Sequence, residues 1–143
     1  MKKYFLGILI TLSGLFALAV PGVANAQLTS PGVVKANIPF SFTVGKTMLP
    51  AGEYRVNNSG TEGVLLIAAE ESSQRGLIRT LGVEANNRSS ETKLIFRRHG
   101  DQYFLSQIWV KNESSGREIP RTRTEKELMA KAASDSVTIL AVK

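Results

Sequence analysis

Side chains that could carry out metal or nucleophilic chemistry are scarce in this sequence of 143 residues. It has no cysteine and a single histidine, His99, so the thiolate and imidazole clusters of transition-metal sites are missing. His99 precedes Gly100 in a predicted hairpin turn, where we expect a lone histidine to be exposed to solvent. A serine nucleophile would have to use this histidine, and no Gly-x-Ser-x-Gly elbow presents one. We therefore expect no catalytic residue, no metal site and no cofactor.

Carboxylates are the remaining candidates for catalysis, because two of them from distant strands can hydrolyse a glycosidic bond without a local motif. Those of the predicted β region are Glu53, Glu62, Glu70, Glu71, Glu84, Glu91 and Asp101. Most of them fall in predicted turns or at strand ends, where a solvated acidic side chain is the ordinary explanation. No Asp-x-Asp-x-Asp-Gly loop supports a calcium site near Glu70. A carboxylate-based hydrolase is therefore kept as the second alternative function.

Basic residues around a predicted helix start form the candidate binding site of the sequence. They are Arg117, Arg121, Arg123 and Lys126. Arg121 and Arg123 point the same way in an extended backbone, and Lys126 adds charge from the first turn of the helix. A phosphate or an anionic polysaccharide would suit such a cluster. Acidic residues in the same stretch, among them Glu118 and Glu125, lower its net charge, so a solvated charged surface is the competing interpretation.

The N-terminal segment has the order of features found in a secretory signal. Lys2 and Lys3 precede an apolar run from Tyr4 to Val20, and Ala24 and Ala26 are the small residues of a cleavage site. An uncleaved membrane anchor is the alternative, since the run approaches the length of a spanning helix. We expect cleavage after Ala26, and therefore a periplasmic or extracellular protein without a stable membrane span.

The predicted division of the chain is a signal peptide at 1–26, a flexible leader at 27–36 and a single β-rich domain at 37–143. Because the chain has no cysteine, this domain must be stabilised by packing and not by disulfides. The formal net charge of the whole sequence is +6. It falls when the two N-terminal lysines are removed, and it is too mild to specify a polyanionic partner. Export also separates the protein from nucleic acid, so we expect no nucleic-acid partner.

Alternating apolar residues predict strands over much of the chain. Ile38 to Val44 and Glu53 to Asn57 have a period of two, and a turn at Leu49-Pro50-Ala51-Gly52 connects them. Val64 to Ala69 is apolar throughout, which predicts a central strand covered on both faces. Leu77 to Glu84 gives a weaker strand. Turn residues recur about every ten positions, so we expect a mainly β fold, an antiparallel sandwich or small barrel of about seven strands.

The clearest predicted hairpin runs from Lys93 to Lys111, with Gly100-Asp101 as its tight loop. Both of its faces are apolar. We expect one face to carry Leu94, Phe96, Tyr103, Leu105 and Trp109, and the other to carry Ile95, Phe104, Ile108 and Val110. In the preceding strands, Phe40, Phe42 and Tyr54 are predicted to belong to the core.

One helix is predicted before the last strand. Thr124 and Glu127 match a capping box, which places the helix at Glu125 to Ala133. Val137 to Val142 follows as the final strand. A helix followed by a final strand resembles the ending of lipocalin-like barrels, so a small-molecule carrier barrel is the first alternative function.

Three stretches of the sequence carry a resemblance to other proteins. They are IPFSFTVGKTMLPAGEYRV, IFRRHGDQYFLSQIWV and GREIPRTRTEKELMAK. Together they resemble a group of small uncharacterised exported proteins common in acidobacterial genomes. The resemblance implies export and single-domain organisation, and it implies no activity, cofactor or catalytic residue. We therefore expect an exported non-catalytic binding, interaction or structural protein, whose partner is an envelope component or an anionic polymer.

Overall fold

The computed structural model describes residues 33–142. The predicted signal peptide and residues 27–32 of the predicted leader lie outside the described residues, so cleavage after Ala26 stays a prediction. Within residues 33–142, no helix combines the length and the apolar character that crossing a bilayer requires.

The described chain contains eleven strands and one helix. The strands that precede the central hairpin are β1 (Val34–Ile38), β2 (Phe42–Val44), β3 (Thr47–Leu49), β4 (Gly52–Asn58), β5 (Val64–Ala69), β6 (Arg75–Arg79) and β7 (Leu81–Glu84). The hairpin and the elements that follow it are β8 (Lys93–His99), β9 (Gln102–Trp109), β10 (Ser115–Glu118), α1 (Arg123–Met129) and β11 (Ser134–Leu140).

These strands form two sheets. Sheet A has the order β1-β4-β5-β6, and sheet B has the order β11-β8-β9-β10-β7, with β2 and β3 continuing beside β9. Neighbouring strands are antiparallel except β2 and β9, which run parallel. A mainly β fold with one helix before the final strand confirms the predicted fold class. The two sheets face each other as a sandwich, so the barrel alternative is wrong.

The core lies between the two sheets and is built around aromatic side chains. Phe42 contacts Tyr54 and Phe96 edge to face, with ring centroids 5.1 and 5.5 Å apart. Phe40 is partly buried and stacks on Tyr103. These contacts confirm Phe42 and Tyr54 as core residues, and Phe40 packs against the core while it stays partly buried. Burying one large side chain of this kind contributes roughly 1.5–3 kcal/mol, which explains how a domain without disulfides holds together.

Tyr54 keeps its hydroxyl group hydrogen-bonded inside the core. The phenol donates to the carbonyl oxygen of Pro50 at 2.6 Å. Burial raises the pKa of the Tyr54 phenol above its usual value, because the phenolate would lose its hydration. The predicted turn at Leu49-Pro50-Ala51-Gly52 is therefore tied to the core by a side chain that follows it.

The chain passes from sheet A to sheet B at Thr80, inside the segment predicted as one strand. The segment forms β6 and β7, which belong to different sheets. Thr80 is buried between them, and both its backbone N–H and its hydroxyl donate to the carbonyl oxygen of Gly63, at 2.7 and 3.2 Å. These two hydrogen bonds fix the corner and separate the two short strands.

A backbone bridge joins the first strand to the end of the described chain. Lys35 and Val142 exchange two N–H···O hydrogen bonds of 2.8 and 2.9 Å. Strand β1 begins at Val34, so the predicted boundary at residue 37 is three residues too late. The bridge connects an edge of sheet A to the chain that leaves the edge strand β11 of sheet B.

The apolar strand β5 shows one limit of sequence patterning. It lies between β4 and β6, so its central position is confirmed. Leu65 and Ile67 are buried, but Val64 and Leu66 are only partly buried on the outer face of sheet A. The expectation that this strand is covered on both faces is therefore wrong.

The predicted hairpin of β8 and β9 is confirmed, with Gly100-Asp101 as its loop. Gly100 has a φ of 61°, a conformation that glycine adopts without strain. The register shifts between Ile95 and Phe96, so Ser106 forms a bulge in β9. A bulge adds one residue to one strand and reverses the alternation beyond it.

The bulge changes the faces predicted for the second half of β9. Ile108 lies opposite Leu94 and is buried in the core, and Val110 is buried with it. Trp109 lies opposite Lys93 and is only partly buried, on the outer face of sheet B. The predicted faces of Ile108, Trp109 and Val110 are therefore wrong, because no local pattern of residues indicates the bulge.

The helix begins earlier than its predicted capping box. Thr122 is the N-cap residue, and its hydroxyl accepts the backbone N–H of Glu125 at 3.2 Å. Thr122 and Glu125 have the same spacing as the predicted pair two residues later. Helix α1 ends at Met129, and the predicted end at Ala133 is too late. Strand β11 starts at Ser134, and the predicted start at Val137 is also too late.

Candidate functional site

The four cationic residues predicted as an anion site do not form one surface. Arg117 lies in β10 and is 8% exposed. Its cross-strand neighbour Ile108 belongs to the core, so the Arg117 side chain starts on the inner face of sheet B. Arg121, Arg123 and Lys126 are exposed around the start of α1. Burial therefore separates Arg117 from the other three.

The exposed cations near α1 are partly neutralised. Arg123 donates to Glu127 at 3.0 Å across one helical turn, with 94% of the arginine side chain exposed. The side chains of Arg121 and Lys126 make no hydrogen bond or ion pair within residues 33–142. Anion binding by these residues stays a prediction, and its strongest remaining members are Arg121 and Lys126.

His99 lies in a buried polar cluster, which overturns the prediction that it is exposed. It ends β8 and is 3% exposed. Its Nδ1 is 2.7 Å from the hydroxyl of Ser134, and its Nε2 is 3.2 Å from Oε1 of Glu125. A neutral ring with its proton on Nε2 satisfies both contacts, since it donates to Glu125 and accepts from Ser134.

Arg97 completes the buried cluster from the same face of β8. It binds both carboxylate oxygens of Glu125, at 2.5 and 3.2 Å. It also donates to the Ser106 hydroxyl at 2.8 Å and to the Ile119 carbonyl oxygen at 3.1 Å. The guanidinium group balances the charge of Glu125 at a position where an unpaired carboxylate would be costly.

The local sequence explains why these side chains meet. Arg97 and His99 are two residues apart in β8, so both point to the outer face of sheet B. The bulge brings Ser106 to the same place, and the N-cap at Thr122 sets the rotation of α1 that buries Glu125. The cluster therefore anchors α1 on sheet B.

A serine, a histidine and a carboxylate in one hydrogen-bonded chain are also the parts used in nucleophilic catalysis. In this cluster Arg97 holds both oxygens of Glu125, and the His99 ring is shielded from solvent. The buried His99 ring cannot donate a proton to the leaving group of a substrate unless α1 moves away from it. The contacts account fully for an anchoring role.

The outer face of sheet B is apolar over much of its width at the end remote from α1. Two rows of cross-strand neighbours define this surface, which we call the tryptophan face. The first row consists of Leu140, Lys93, Trp109, Gly116 and Val83. The second row consists of Thr138, Ile95, Gln107, Glu118 and Leu81. The apolar side chains at its two ends, Leu140 and Leu81, are 60% and 58% exposed.

The indole of Trp109 lies over Gly116 at the centre of this face. A Cβ atom added to Gly116 would lie 2.8 Å from the indole carbons Cδ2 and Cε3, which is closer than atoms can approach. The ring therefore occupies the space that a side chain at position 116 would need. Its N–H donates to the side-chain oxygen of Gln107 at 3.0 Å, which fixes the ring in its plane.

Carboxylates gather at a different surface, in a groove of about 470 Å³ beside the Lys35–Val142 bridge. Glu53, Glu70 and Glu71 line it. Both carboxylate oxygens of Glu70 accept hydrogen bonds of 2.9 Å from Arg55. In residues 33–142 no group of three or more potential ligands is arranged to hold a metal ion.

Sequence reasoning missed both the buried cluster and the tryptophan face. The partners of His99 are 26 and 35 positions away, and no local motif connects them. The tryptophan face depends on a bulge and on the short strand β10, neither of which has a periodic signal. Apolar residues on both faces of the hairpin were the one available sign of an exposed apolar surface. Comparisons with protein-family models, curated proteins and solved structures find no match for this chain.

Proposed function

We propose that this protein is an exported, non-catalytic binding protein and that it binds its partner through the tryptophan face. The observation that carries the proposal is the indole of Trp109 packed over Gly116, at the centre of an outer sheet face with exposed apolar side chains. Antiparallel sheets in contact with water usually carry polar residues on that side. Apolar patches rimmed by polar residues mark interaction sites.

The alternatives have weaker support. Large side chains, among them Tyr54, Phe42 and Phe96, occupy the space between the sheets where a carrier would hold its ligand. A carboxylate-based hydrolase has its best location in the groove of Glu53 and Glu70. Arg55 donates hydrogen bonds to both oxygens of Glu70, so an ion pair within the protein already occupies this carboxylate.

Binding through the tryptophan face is tested by sedimentation with envelope fragments of the native host. The full-length chain is expressed there with its N-terminal segment, and the exported protein is purified. We expect the wild type to sediment with the fragments and Trp109→Ala to lose most of this binding. Leu77→Ala is the control, because Leu77 is an exposed apolar residue on the outer face of sheet A, away from the tryptophan face. Equal binding by all three proteins would overturn the proposal.

Export is tested on the same preparation by intact mass measurement. We expect the N-terminus to be Gln27, because Ala24 and Ala26 fit the small-residue pocket of the signal peptidase. A mass that still includes residues 1–26 would contradict cleavage and would favour the anchor alternative.

A further inference from the structure

We infer that the ligand of the tryptophan face is an uncharged glycan, one of whose sugar rings stacks on Trp109. This inference rests on the proposed function, since it names the ligand class of the same surface. A pyranose ring has an apolar face of C–H groups and a rim of hydroxyl groups. Its binding site must therefore combine a flat apolar surface with hydrogen-bonding side chains around it.

The position of Trp109 provides the flat surface. Gly116 has no side chain, so the indole extends from β9 over the backbone of the neighbouring strand β10. The hydrogen bond to Gln107 satisfies the indole N–H and holds the ring in one orientation before any ligand binds. Because the ring is already fixed, stacking a ligand on it costs little conformational entropy.

The polar side chains beside the ring provide the hydroxyl recognition. Lys93 lies directly opposite Trp109, and Glu118 lies opposite Gln107. Thr138 continues the second row on β11. Amide, carboxylate and hydroxyl groups each accept or donate hydrogen bonds to sugar hydroxyls. Both rows contain polar as well as apolar side chains, which an amphipathic sugar ring requires.

The charge of the face favours an uncharged chain. Lys93 and Glu118 are its two charged residues, one of each sign, so the face as a whole is neutral. An anionic polymer would be drawn to the exposed cations near α1, such as Arg121, and not to this surface. The length of the face suits a polymer, because a row across five strands extends about 19 Å.

Trp109 is the one tryptophan of the sequence, so its fluorescence reports on this face directly. The wild-type protein is titrated with oligosaccharides of glucose, of mannose and of N-acetylglucosamine, each in a series of increasing length. We expect a saturable change in emission with at least one series, and binding that strengthens with chain length. Raising the salt concentration should leave the affinity unchanged, because no net charge is neutralised.

Two variants test the geometry by calorimetry. Trp109→Ala removes the stacking surface, and we expect affinity to fall about tenfold or more, which corresponds to about 1.4 kcal/mol. Gly116→Ala keeps the tryptophan but forces the indole off the sheet, and we expect a similar loss. Circular dichroism confirms that each variant is folded, and Leu77→Ala should bind as the wild type does.

The outcomes separate the ligand class from the proposed function. If Trp109→Ala abolishes binding to envelope fragments while no oligosaccharide changes the wild-type emission, the glycan proposal is overturned and the binding function stands. If neither assay depends on Trp109, both proposals are overturned. If sedimentation equilibrium shows that the wild type dimerises and Trp109→Ala does not, the face is occupied by a second copy of this chain and the glycan proposal is overturned.

Discussion

Glu125 is held in the protein interior by two side chains from β8. Arg97 binds both of its oxygens and His99 approaches one of them. A buried ion pair contributes modestly to stability while it is intact, because desolvation offsets much of the attraction. Removal of one partner is different, since it leaves a charge in a place from which water is excluded.

Substitution of Arg97 tests whether removal of one partner from the buried ion pair costs more stability than removal of an exposed one. Arg97→Ala should lower the free energy of unfolding by about 3–5 kcal/mol, because Glu125 is left without its counter-charge. Chemical denaturation measures the change. Arg123→Ala is the control, because it breaks an exposed pair with Glu127 and should change stability by less than about 0.5 kcal/mol. Equal losses in both variants would show that the buried cluster is not what stabilises the fold.

The buried phenol of Tyr54 predicts a loss of stability in alkaline solution. Burial raises its pKa in the folded protein, so the proton is retained there after the unfolded chain has lost it. The stabilising contribution is complete below the unfolded pKa of about 10 and disappears as pH rises towards the folded pKa. Urea denaturation at increasing pH should show a steeper loss for the wild type than for Tyr54→Phe. Parallel curves would mean that another group is responsible.

His99 shows why residue-level environments are hard to predict from the sequence. A lone histidine beside a turn glycine is ordinarily exposed, and nothing near it in the sequence indicates otherwise. Ser134 reaches it because β11 pairs with β8, and Glu125 reaches it because α1 folds back over β8. Phe42 and Tyr54 were predictable, because large apolar side chains in alternating positions have few environments besides the core.

The prediction of a threonine N-cap for α1 was correct in residue type and wrong in position. Both Thr122 and Thr124 are followed three positions later by a glutamate. The sheet decides between them, because only the earlier start buries Glu125 against Arg97. Local sequence thus gives the type of element, and the tertiary contact selects its first residue.

A pair of threonine substitutions tests which residue caps the helix. Thr122→Ala should lower the free energy of unfolding by about 1 kcal/mol, because the backbone N–H of Glu125 loses its acceptor. Thr124→Ala should have little effect, since that residue is exposed within α1. Thermal unfolding followed by circular dichroism measures both. A larger loss for Thr124→Ala would place the cap two residues later, where the sequence pattern first indicated it.

Strand length determined which elements the sequence could reveal. The hairpin of β8 and β9 has enough alternating residues for its loop to be located correctly. Strands β3 and β10 have three and four residues, too few to establish a period of two. Strand β10 nevertheless supplies Gly116 to the tryptophan face. This face could therefore not be predicted from the alternation of apolar residues.

For the whole molecule, stability depends on the aromatic centre of the sandwich. Phe42→Ala should cost roughly 3–5 kcal/mol, a large part of the 5–15 kcal/mol typical of a small domain. The variant loses the buried apolar surface of the ring, and it loses the ring's edge-to-face contacts with Tyr54 and Phe96. Denaturant titration measures it, with the exposed Met48→Ala as the control. Unchanged stability in Phe42→Ala would contradict the assignment of Phe42 to the core.

The arrangement of the two sheets lay beyond sequence reasoning for a physical reason. Hydrophobic patterning defines which residues of a strand are buried, and it does not specify which strand lies beside which. The pairing of β8 with β11 and of β7 with β10 joins segments that are distant in the chain. The corner at Thr80 depends on a hydrogen-bond acceptor, Gly63, from another turn. A mainly β sandwich was predictable, and its strand order was not.

The backbone bridge between Lys35 and Val142 also sets the order in which the fold can be completed. Strands β4, β5 and β6 follow one another in the chain, so sheet A can begin to pair as soon as they have emerged from a ribosome or a translocation channel. One edge of β8 stays unpaired until β11 arrives, and the bridge can close only after that. During this interval the core is open to proteases and to other unfinished chains. The arrival of β11 is therefore the step that protects the molecule.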